Sequence, residues 1–449
     1  MTGCFPTKTG IYGFQNWAGR EDFKSYITLP EYFHKNGYVT FSSGKIHHKL
    51  SWAQSYVEIN CASTDPDPAV VVPRADREWT VNNIAAVLKA NDHHIPCLEE
   101  SIDWHGNRKV RRMNSLKYKC ISGPSDDSVM DCKDGVTAQF GVDVLKQKHD
   151  KPFFLALGFK RPHLPFIAPR KYFDHYPLGD LKLHPVKEDD LADKPWVARR
   201  NARVTDDINI RKTNSQGRAR VIQAYYACVS FLDDMVGMVL NELERSSYVD
   251  NTIIVLWSDH GWHLGEKRSW RKFSLWEESV RVPLILVDPR RTKSAGQTCQ
   301  RPVGLIDLYP TLTELCGLPM PANLNGVSLC PLLEDPDADS VVLREPELTV
   351  LGRGNYSLRD EEWRYTRYFD GSEELYKHKD DPYEWTNLAH DSAYNDIKEY
   401  FSYLLPADSA PAVEPRGRGH WADLDKDDIK QFKTNVWSRW IQEATPPLL

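Results

Sequence analysis

The sequence predicts an α/β fold, with a mostly parallel sheet flanked by helices and a small antiparallel α+β subdomain towards the carboxyl end. Thr252–Trp257 is an almost unbroken apolar run bounded by turn residues, which is typical of a strand buried on both faces. Phe153–Leu157 is a second apolar run and is also predicted to be a strand. Arg220–Arg245 repeats apolar residues every three or four positions, as an amphipathic helix does.

Weaker signals predict the other elements of the larger domain. The predicted helices are Ile27–Asn36, Asp134–Lys148 and Asp307–Cys316, and the predicted strands are Tyr38–Phe41 and Val280–Val287. The expected apolar stripe of the long helix contains Tyr225, Val229, Leu232, Val236, Val239 and Leu243. Residues 50–130 and 169–217 lack this periodicity, so we expect loops there.

The pattern changes in the last quarter of the chain. From about Val341 short strands alternate, and Asp370-Gly371 is a hairpin signal. Pro406–Pro415 is predicted to be a linker, and the apolar residues from Ile429 to Ile441 have helical spacing. We therefore predict a large α/β domain at 1–340, a small antiparallel subdomain at 341–405, and a linker with a final helix at 406–449.

Bulk composition narrows the classes of function. The 449 residues carry a net charge of −6, which argues against general nucleic-acid binding because that needs a basic surface. Positive charge collects locally instead, at Lys160-Arg161 and Lys267–Lys272, which fits a small anionic group. No apolar run approaches the roughly 18 residues of a membrane span, and the first thirty residues contain no signal-peptide core. Nine cysteines without CxxC spacing make a zinc site improbable.

The strand Thr252–Trp257 runs directly into Ser258-Asp259-His260-Gly261. Parallel sheets place ligand groups at the carboxyl ends of their strands, so Asp259 and His260 suit a metal or an acid–base pair. An ordinary turn capped by Asp259 is the alternative. Four cations follow within Glu266–Phe273, which is how an oxyanion site is built, although a solvated loop would have the same composition.

Two further histidines follow predicted strands. Lys45 and His48 lie three positions apart just beyond Tyr38–Phe41, so both can face one site. The alternative is a solvated turn with a surface histidine. His163 lies between Pro162 and Pro165, which stiffen the loop and suit an imidazole held in place. A purely structural histidine is equally compatible with this pattern.

These segments together resemble the sulfatase family. SDHGWHLGEKRSWRKFSLWEESVRVPLI is similar to the second half of the sulfatase signature, closest to the iduronate-2-sulfatase branch. GYVTFSSGKIHH, FFLALGFKRPHLPF and LYKHKDDPYEWTNLA agree with the family in the same order. The resemblance implies an alkaline-phosphatase-like fold, with residues 1–340 as the catalytic domain. It also implies hydrolysis of sulfate esters, a sulfated carbohydrate such as a glycosaminoglycan as substrate, and a secreted, periplasmic or lysosomal location.

The resemblance also assigns roles to residues. It implies that Lys45, His48, His163 and Lys272 are catalytic and contact the sulfate, and that Asp259 and His260 bind a metal. Cleavage of a sulfate monoester needs a divalent cation, fixed ammonium groups and a histidine that donates a proton. Oxygen-rich ligation suits Ca²⁺ or Mg²⁺, and the family favours Ca²⁺. A sulfated-glycan-binding pseudoenzyme and a phosphomonoester or phosphonate hydrolase of the same superfamily stay open as alternatives.

The beginning of the chain departs from the family pattern. The family nucleophile is a formylglycine made from the cysteine of C-x-P-S-R, which follows a strand with two metal-binding aspartates. Met1-Thr2-Gly3 resembles the end of the helix after that motif, so both features would lie upstream. Cys4-Phe5-Pro6-Thr7-Lys8 imitates the motif loosely but lies after that helix, not at its anion-stabilising start. We therefore expect an N-terminally truncated chain, without its nucleophile and inactive or nearly so.

Overall fold

The computed structural model describes residues 1–13, 21–46, 100–102, 108–110, 122–202, 204–213, 216–337 and 346–413. His48 and the predicted helix around Ile429–Ile441 lie outside these ranges. The helices are α1 (Pro6–Thr9), α2 (Leu29–Lys35), α3 (Lys133–Leu145), α4 (Arg170–Phe173), α5 (Trp196–Ala202), α6 (Thr205–Thr213), α7 (Gly217–Arg245), α8 (Glu277–Val280), α9 (Leu308–Leu315), α10 (Cys330–Glu334) and α11 (Asn395–Leu404). None of the described helices is both long enough and apolar enough to cross a bilayer.

The strands form short ladders. They are β1 (Val39–Gly44), β2 (Glu100–Ile102), β3 (Arg108–Val110), β4 (Ser122–Ser125), β5 (Phe153–Gly158), β6 (Phe166–Pro169), β7 (Ile254–Trp257), β8 (Leu284–Val287), β9 (Glu347–Val350), β10 (Tyr356–Arg359), β11 (Trp363–Arg367) and β12 (Glu373–Lys377). Strand β1 pairs with β5 in parallel, and β4 pairs with β6 in parallel. The pairs β2–β3 and β7–β8 are antiparallel. The predicted α/β class with parallel strands is confirmed.

The parallel pair β1–β5 brings two distant loops together. Its register runs from Val39 opposite Phe153 to Gly44 opposite Gly158, so both carboxyl ends lie at one edge. The Lys45 amide donates to the Gly158 carbonyl at 2.7 Å just beyond the ladder. A Cβ on Gly158 would lie 2.1 Å from the Lys45 carbonyl oxygen, so only glycine permits this approach.

Strand β7 lies where the sequence predicted it, but its expected burial on both faces is wrong. Trp257 is 42% exposed, and Ile285 and Val287 of its partner β8 are 53% and 43% exposed. Within the described residues β7 is paired on one side only, in an antiparallel ladder with β8. An apolar run therefore located the strand correctly, whereas its burial depends on neighbours that the local sequence does not specify.

The 29-residue helix α7 forms one wall of the main core. Its buried face contains Val221, Ile222, Ala224, Ala227, Cys228, Phe231 and Met235, which pack with Phe166, Tyr172 and Trp270 among others. The predicted stripe is therefore partly wrong, since Val229 is 41% exposed and Ala227, which the pattern did not include, is buried. Small residues allow close packing here, and an apolarity pattern undervalues them.

Residues 169–217 were expected to be loops, and this expectation is wrong. Helices α4, α5 and α6 all lie in this range. Helix α6 is rich in charge, and Asp207 on it is buried because it bonds to Trp270 Nε1 at 3.1 Å and to Arg268. The buried side of α6 combines Asp207 with Ile210, so it lacks the regular apolar period that the sequence pattern detects.

The last described ranges form an antiparallel sheet of four strands in the order β12-β11-β10-β9. Helix α11 covers one face, where Phe401 packs with Tyr365 and Leu375. The predicted hairpin at Asp370-Gly371 is confirmed, since Gly371 has φ of 83° and its amide donates to the Tyr368 carbonyl at 2.9 Å. The antiparallel subdomain is thus present, and the exact division at 340 and 405 stays a prediction.

Candidate functional site

The carboxyl ends of β1, β5 and β7 carry most of the predicted site residues. Lys45 follows β1, and Asp259 and His260 follow β7. Contacts connect five of the six predicted residues into what we call the strand-end cluster: Lys45, His163, Asp259, His260 and Lys272. The sixth, His48, lies outside the described residues.

The first contact in the cluster joins β1 to β7. Lys45 Nζ lies 2.6 Å from Asp259 Oδ2. Burial raises the pKa of Asp259, but the neighbouring His260 and the hydrogen bond from Lys45 outweigh burial and lower that pKa below its ordinary value. The side chains are 32% and 51% exposed, so this ion pair remains open to an incoming ligand. Asp259 is therefore a carboxylate at neutral pH, with one ammonium beside it.

The second contact joins β7 to the loop after it. Lys272 Nζ lies 2.5 Å from His260 Nε2. The other ring nitrogen, His260 Nδ1, lies 2.9 Å from the Gly261 carbonyl and donates to it, which leaves Nε2 as an acceptor. Burial and the Lys272 ammonium lower the pKa of His260 to about 4. Burial and the positive Lys45 lower the pKa of Lys272 to about 8, so Lys272 is mostly protonated and His260 neutral at pH 7.

His163 reaches the cluster from the loop after β5. Its ring centroid lies 6.0 Å from that of His260, and its Nδ1 lies 2.8 Å from the Leu164 carbonyl, to which it donates. Burial and the Lys272 ammonium lower the pKa of His163 to about 3. At neutral pH the imidazole is therefore neutral with a free lone pair on Nε2. In this arrangement His163 Nε2 can accept a hydrogen bond.

Gly261 fixes the turn that carries this histidine pair. Its amide donates to the Ser279 carbonyl at 2.8 Å, and an added Cβ would lie 2.1 Å from the Glu278 carbonyl oxygen. The chain must pass this close to α8 for His260 to face Lys272. The glycine after the Asp-His pair is thus required by contact with the following helix.

The cationic loop after β7 does not face the cluster as a whole, and the expectation that it does is wrong. Lys267 is buried against Asp190, and Arg268 and Arg271 pair with Asp207 and Asp206 of α6. Lys272 is the one cation of this loop that contacts the cluster among the described residues. Carboxylates far away in sequence neutralise the other three, and local composition could not indicate them.

Two aromatic side chains beside the cluster were missed in the sequence. Trp262 lies 5.3 Å from His163 between ring centroids, and Lys272 Nζ lies 6.0 Å above the Trp262 ring. Phe273 lies beneath the same ammonium at 5.8 Å. Phe273 immediately follows Lys272, and Trp262 lies two positions after His260, which was the available signal. They give the cluster an apolar wall next to its cations.

Asp259 and His260 do not by themselves form a calcium site. Ca²⁺ takes six to eight oxygen ligands, whereas this pair offers one carboxylate and one imidazole. Ammonium groups lie on both, at 2.6 Å from Asp259 and 2.5 Å from His260. No third histidine, cysteine or carboxylate completes a close triplet with them among the described residues. The two residues can therefore contribute ligands only if others join them.

A triplet with metal-like spacing lies elsewhere, at Glu277, His378 and Glu384. Arg364 already occupies its centre, since its Nε lies 2.6 Å from Glu384 Oε1 and its Nη2 contacts Glu277. His378 Nε2 lies 2.9 Å from the same Glu384 oxygen. A guanidinium supplies the positive charge here, so we interpret this triplet as a buried ion-pair network.

Cys4 is held as a neutral thiol. Its Sγ donates to the Asn323 carbonyl at 3.1 Å, and burial raises its pKa above the ordinary value. It precedes α1, a helix of four residues without a side-chain cap. A raised pKa disfavours the thiolate that a nucleophile needs, which agrees with setting Cys4 aside.

Family models and known proteins match most of the chain. The family model described as Sulfatase matches residues 1–318, and a model described as N-sulphoglucosamine sulphohydrolase, C-terminal, matches residues 265–407. A protein named Sulfatase from Formosa agariphila is 34% identical over 422 residues, which cover 91% of this chain and 76% of that protein. Iduronate 2-sulfatase of Mus musculus is 28% identical, with 88% of this chain and 82% of that protein covered.

Among solved structures, BT4656 in complex with its substrate D-glucosamine-2-N,6-O-disulfate aligns with a TM-score of 0.62 at 18% identity. The alignment covers 97% of this chain and 87% of that one. At this identity the likeness concerns the fold, and it extends over both the α/β part and the antiparallel sheet.

Proposed function

We propose that this chain, which belongs to the sulfatase family of sulfuric ester hydrolases, binds the sulfate group of a sulfated carbohydrate at its strand-end cluster. Lys45 and Lys272 contact the sulfuryl oxygens in this proposal, and His163 lies beside them. His48 is the fourth contact that the G-K-x-x-H pattern assigns. The observation that carries the proposal is the convergence of two ammonium groups with a neutral histidine pair at the ends of β1, β5 and β7.

The charge of the cluster fits a sulfate monoester. Lys45 and Lys272 contribute two positive charges and Asp259 one negative charge, whereas His163 and His260 are neutral at pH 7. The sum is one positive charge, which matches the single negative charge of a sulfate ester. Each lysine can leave its present partner for a sulfuryl oxygen without stranding a buried charge, because Asp259 is half exposed.

A carbohydrate substrate is supported by the aromatic wall and by the relatives. Trp262 and Phe273 place apolar rings beside Lys272, and a sugar ring presents apolar C–H faces that pack on such surfaces. The similar iduronate 2-sulfatase is named for a sulfated uronic acid, and BT4656 binds a disulfated glucosamine. We therefore propose a glycosaminoglycan-type sulfate ester, with the 2-sulfate of iduronate as the leading candidate.

Turnover by these 449 residues alone should be slow. None of the nine cysteines stands in a C-x-P-S-R motif, so the residues include no formylglycine precursor. Loss of a nucleophile leaves only binding and electrostatic stabilisation, which is several orders of magnitude less effective. We also propose that Ca²⁺ binds weakly, because Asp259 and His260 supply only part of a ligand set.

The test compares binding with hydrolysis. Calorimetry should detect binding of D-glucosamine-2-N,6-O-disulfate and of inorganic sulfate, and hydrolysis of 4-nitrophenyl sulfate should be near the uncatalysed rate. Lys45→Met should weaken sulfate binding about tenfold or more because a charge-assisted hydrogen bond is lost. Lys171→Met, which removes an exposed lysine that pairs with Asp234 at 3.4 Å, is the matched control and should bind like wild type.

Three outcomes would distinguish the proposed function from a phosphoester hydrolase and from a glycan-binding pseudoenzyme. Absence of sulfate binding at millimolar concentration would contradict the proposal, and faster cleavage of 4-nitrophenyl phosphate than of the sulfate would indicate a phosphoester hydrolase. Binding of the sulfated sugar without hydrolysis by a form of the protein to which a C-x-P-S-R segment has been joined would favour a glycan-binding pseudoenzyme.

A further inference from the structure

The segment 263–271 forms a hairpin whose base carries two members of the strand-end cluster. The His263 amide donates to the Arg271 carbonyl at 3.0 Å, and the Gly265 amide donates to the Ser269 carbonyl at 2.9 Å. His260 lies three positions before His263 and Lys272 directly follows Arg271, so the two chain ends that hold them lie side by side. We call this segment the 263–271 hairpin.

The tip of the hairpin has an unfavourable backbone conformation. Lys267 and Arg268 have φ values of 50° and 51°, in the left-handed region that side chains with a Cβ rarely adopt. Such conformations persist only where the surroundings enforce them. The tip therefore requires contacts from outside the hairpin to hold its shape.

Lys267 supplies those contacts. Its Nζ lies 3.0 Å from Asp190 Oδ1, 2.7 Å from the Tyr383 carbonyl and 2.8 Å from the Glu384 carbonyl. These three acceptors use all three hydrogens of the ammonium, and the side chain is completely buried. Asp190 belongs to the segment before α5, and residues 383–384 follow the antiparallel sheet. One side chain thus joins the hairpin tip to two separate parts of the molecule.

The other anchors of the hairpin lie along its sides. Arg268 and Arg271 pair with Asp207 and Asp206 of α6, and these side chains keep 19% and 14% exposure. At the base, within the part of the chain that the structure describes, Lys272 Nζ has a single close polar contact, with His260 Nε2. The distance between Lys272 and His260 therefore depends on how the anchored hairpin holds the two chain ends. Displacements of about 1 Å at a binding site can have large functional consequences.

We propose that Lys267 is a positioning residue, which fixes the 263–271 hairpin through Asp190 and the 383–384 carbonyls and thereby sets the placement of Lys272 and His260 for sulfate. The inference deepens the proposed function, because sulfate binding is one of its readouts. It predicts that a residue without contact to the ligand controls affinity through Lys272. It also predicts that the C-terminal subdomain is part of the site's support.

The experiment compares Lys267→Met with Lys194→Met. Lys194 is an equally buried lysine of the same region, with Nζ 2.6 Å from Asp193 Oδ1 and 3.0 Å from the Trp385 carbonyl. It lies outside the hairpin, and its Nζ is 3.9 Å from Asp190 Oδ1, against 3.0 Å for Lys267, so it tests whether loss of any buried lysine near Asp190 has the same effect. Both variants should lose stability. The ¹⁵N signals of the His260 ring, measured without ligand in histidine-labelled protein, should move in Lys267→Met and stay as in wild type in Lys194→Met.

Affinity for inorganic sulfate gives the second readout. We expect Lys267→Met to weaken sulfate binding about tenfold and Lys194→Met to leave it unchanged. In a Lys272→Met background the effect of Lys267→Met should disappear, because the two residues act through one contact. If Lys267→Met does not fold, Lys267→Met combined with Asp190→Asn removes both charges together and replaces it in each comparison.

The outcomes separate this inference from the proposed function. Unchanged His260 signals in Lys267→Met, or equal effects of Lys267→Met and Lys194→Met on those signals, would overturn the positioning role whether or not sulfate binds. Additive losses in the Lys267/Lys272 cycle would also overturn it. Wild-type protein that fails to bind sulfate, with His260 signals that still respond to Lys267→Met, would refute the proposed function alone.

Discussion

Two charged regions of this molecule contain the same kinds of side chain and differ in how completely those side chains are satisfied. In the strand-end cluster Lys45 and Lys272 each have one close polar partner among the described residues, and Asp259 is half exposed. In what we call the boundary network, made of Asp190, Lys267, Glu277, Arg364, His378 and Glu384, the cations are buried and each contacts several acceptors. A lysine with a single partner can still bind a ligand. A buried cation that is fully hydrogen-bonded instead holds separate segments of the chain together.

The charged neighbours in the two regions also shift pKa values differently. Burial alone would raise the pKa of Glu384, but Arg364 and the contact with His378 outweigh burial and hold it well below its ordinary value. The site histidines respond to burial in the opposite way, since burial and Lys272 keep His163 and His260 neutral. Carboxylates therefore stay charged where a guanidinium is fixed beside them, and imidazoles stay neutral where ammonium groups crowd them.

The largest expected effect is on stability, at Arg364. Its Nε and Nη1 bond to Glu384 and to Ser357 at 2.6 and 3.1 Å, and Nη2 contacts Glu277. Arg364→Met leaves two carboxylates without their main partner and should lower the free energy of unfolding by about 3–5 kcal/mol, measured by urea denaturation. Arg281→Met is the control, because Arg281 is 78% exposed and lies 3.6 Å from Glu277. Equal losses of stability in both variants would contradict the view that the buried Arg364 holds the fold together more than the exposed Arg281 does.

The second effect is on binding, at Lys272. Lys272→Met removes a charge-assisted contact with the anion and should weaken sulfate binding by about 10- to 100-fold, measured by calorimetry. Stability should change much less than in Arg364→Met, because His260 is already neutral and is not left as an unpaired charge. If Lys272→Met lost as much stability as Arg364→Met, or bound sulfate normally, Lys272 would stabilise the fold and would not bind the ligand.

The third effect depends on pH, at Glu266 in the hairpin tip. Burial raises its pKa, but His184 at 2.6 Å, His263 and the Leu264 amide at 2.6 Å outweigh burial and lower the pKa to about 2. A lowered carboxylate pKa adds stability above the unfolded value, and that stability is lost as pH falls towards 2. Glu266→Gln should cost on the order of 2 kcal/mol at pH 7 and progressively less below pH 4.5. A difference that stays constant between pH 7 and 3 would contradict this assignment.

The proximity of the residues in the strand-end cluster could be predicted from the sequence because it follows from topology, and their roles stay predictions. The loops that carry Lys45 and His163 start at the same edge because β1 and β5 are parallel and in register, and parallel strands share a carboxyl edge. The anchors of the 263–271 hairpin could not be predicted in the same way. Lys267 meets Asp190 across 77 positions and the Glu384 carbonyl across 117, and no local period encodes such contacts. The sequence therefore showed four cations in one loop but not which three were already neutralised.

The smallest expected effect separates partner number from burial. Arg211 has as many carboxylate contacts as Arg364, since its Nη1 lies 2.8 Å from both Glu188 oxygens and its Nε lies 2.8 Å from Asp207. Glu188, however, is 72% exposed, so water can replace Arg211 as its partner. Glu188→Gln should change the free energy of unfolding by less than about 1 kcal/mol in urea denaturation, and less again in 1 M salt. A loss comparable to that of Arg364→Met would mean that contact number, and not burial, distinguishes the boundary network from the rest of the charged surface.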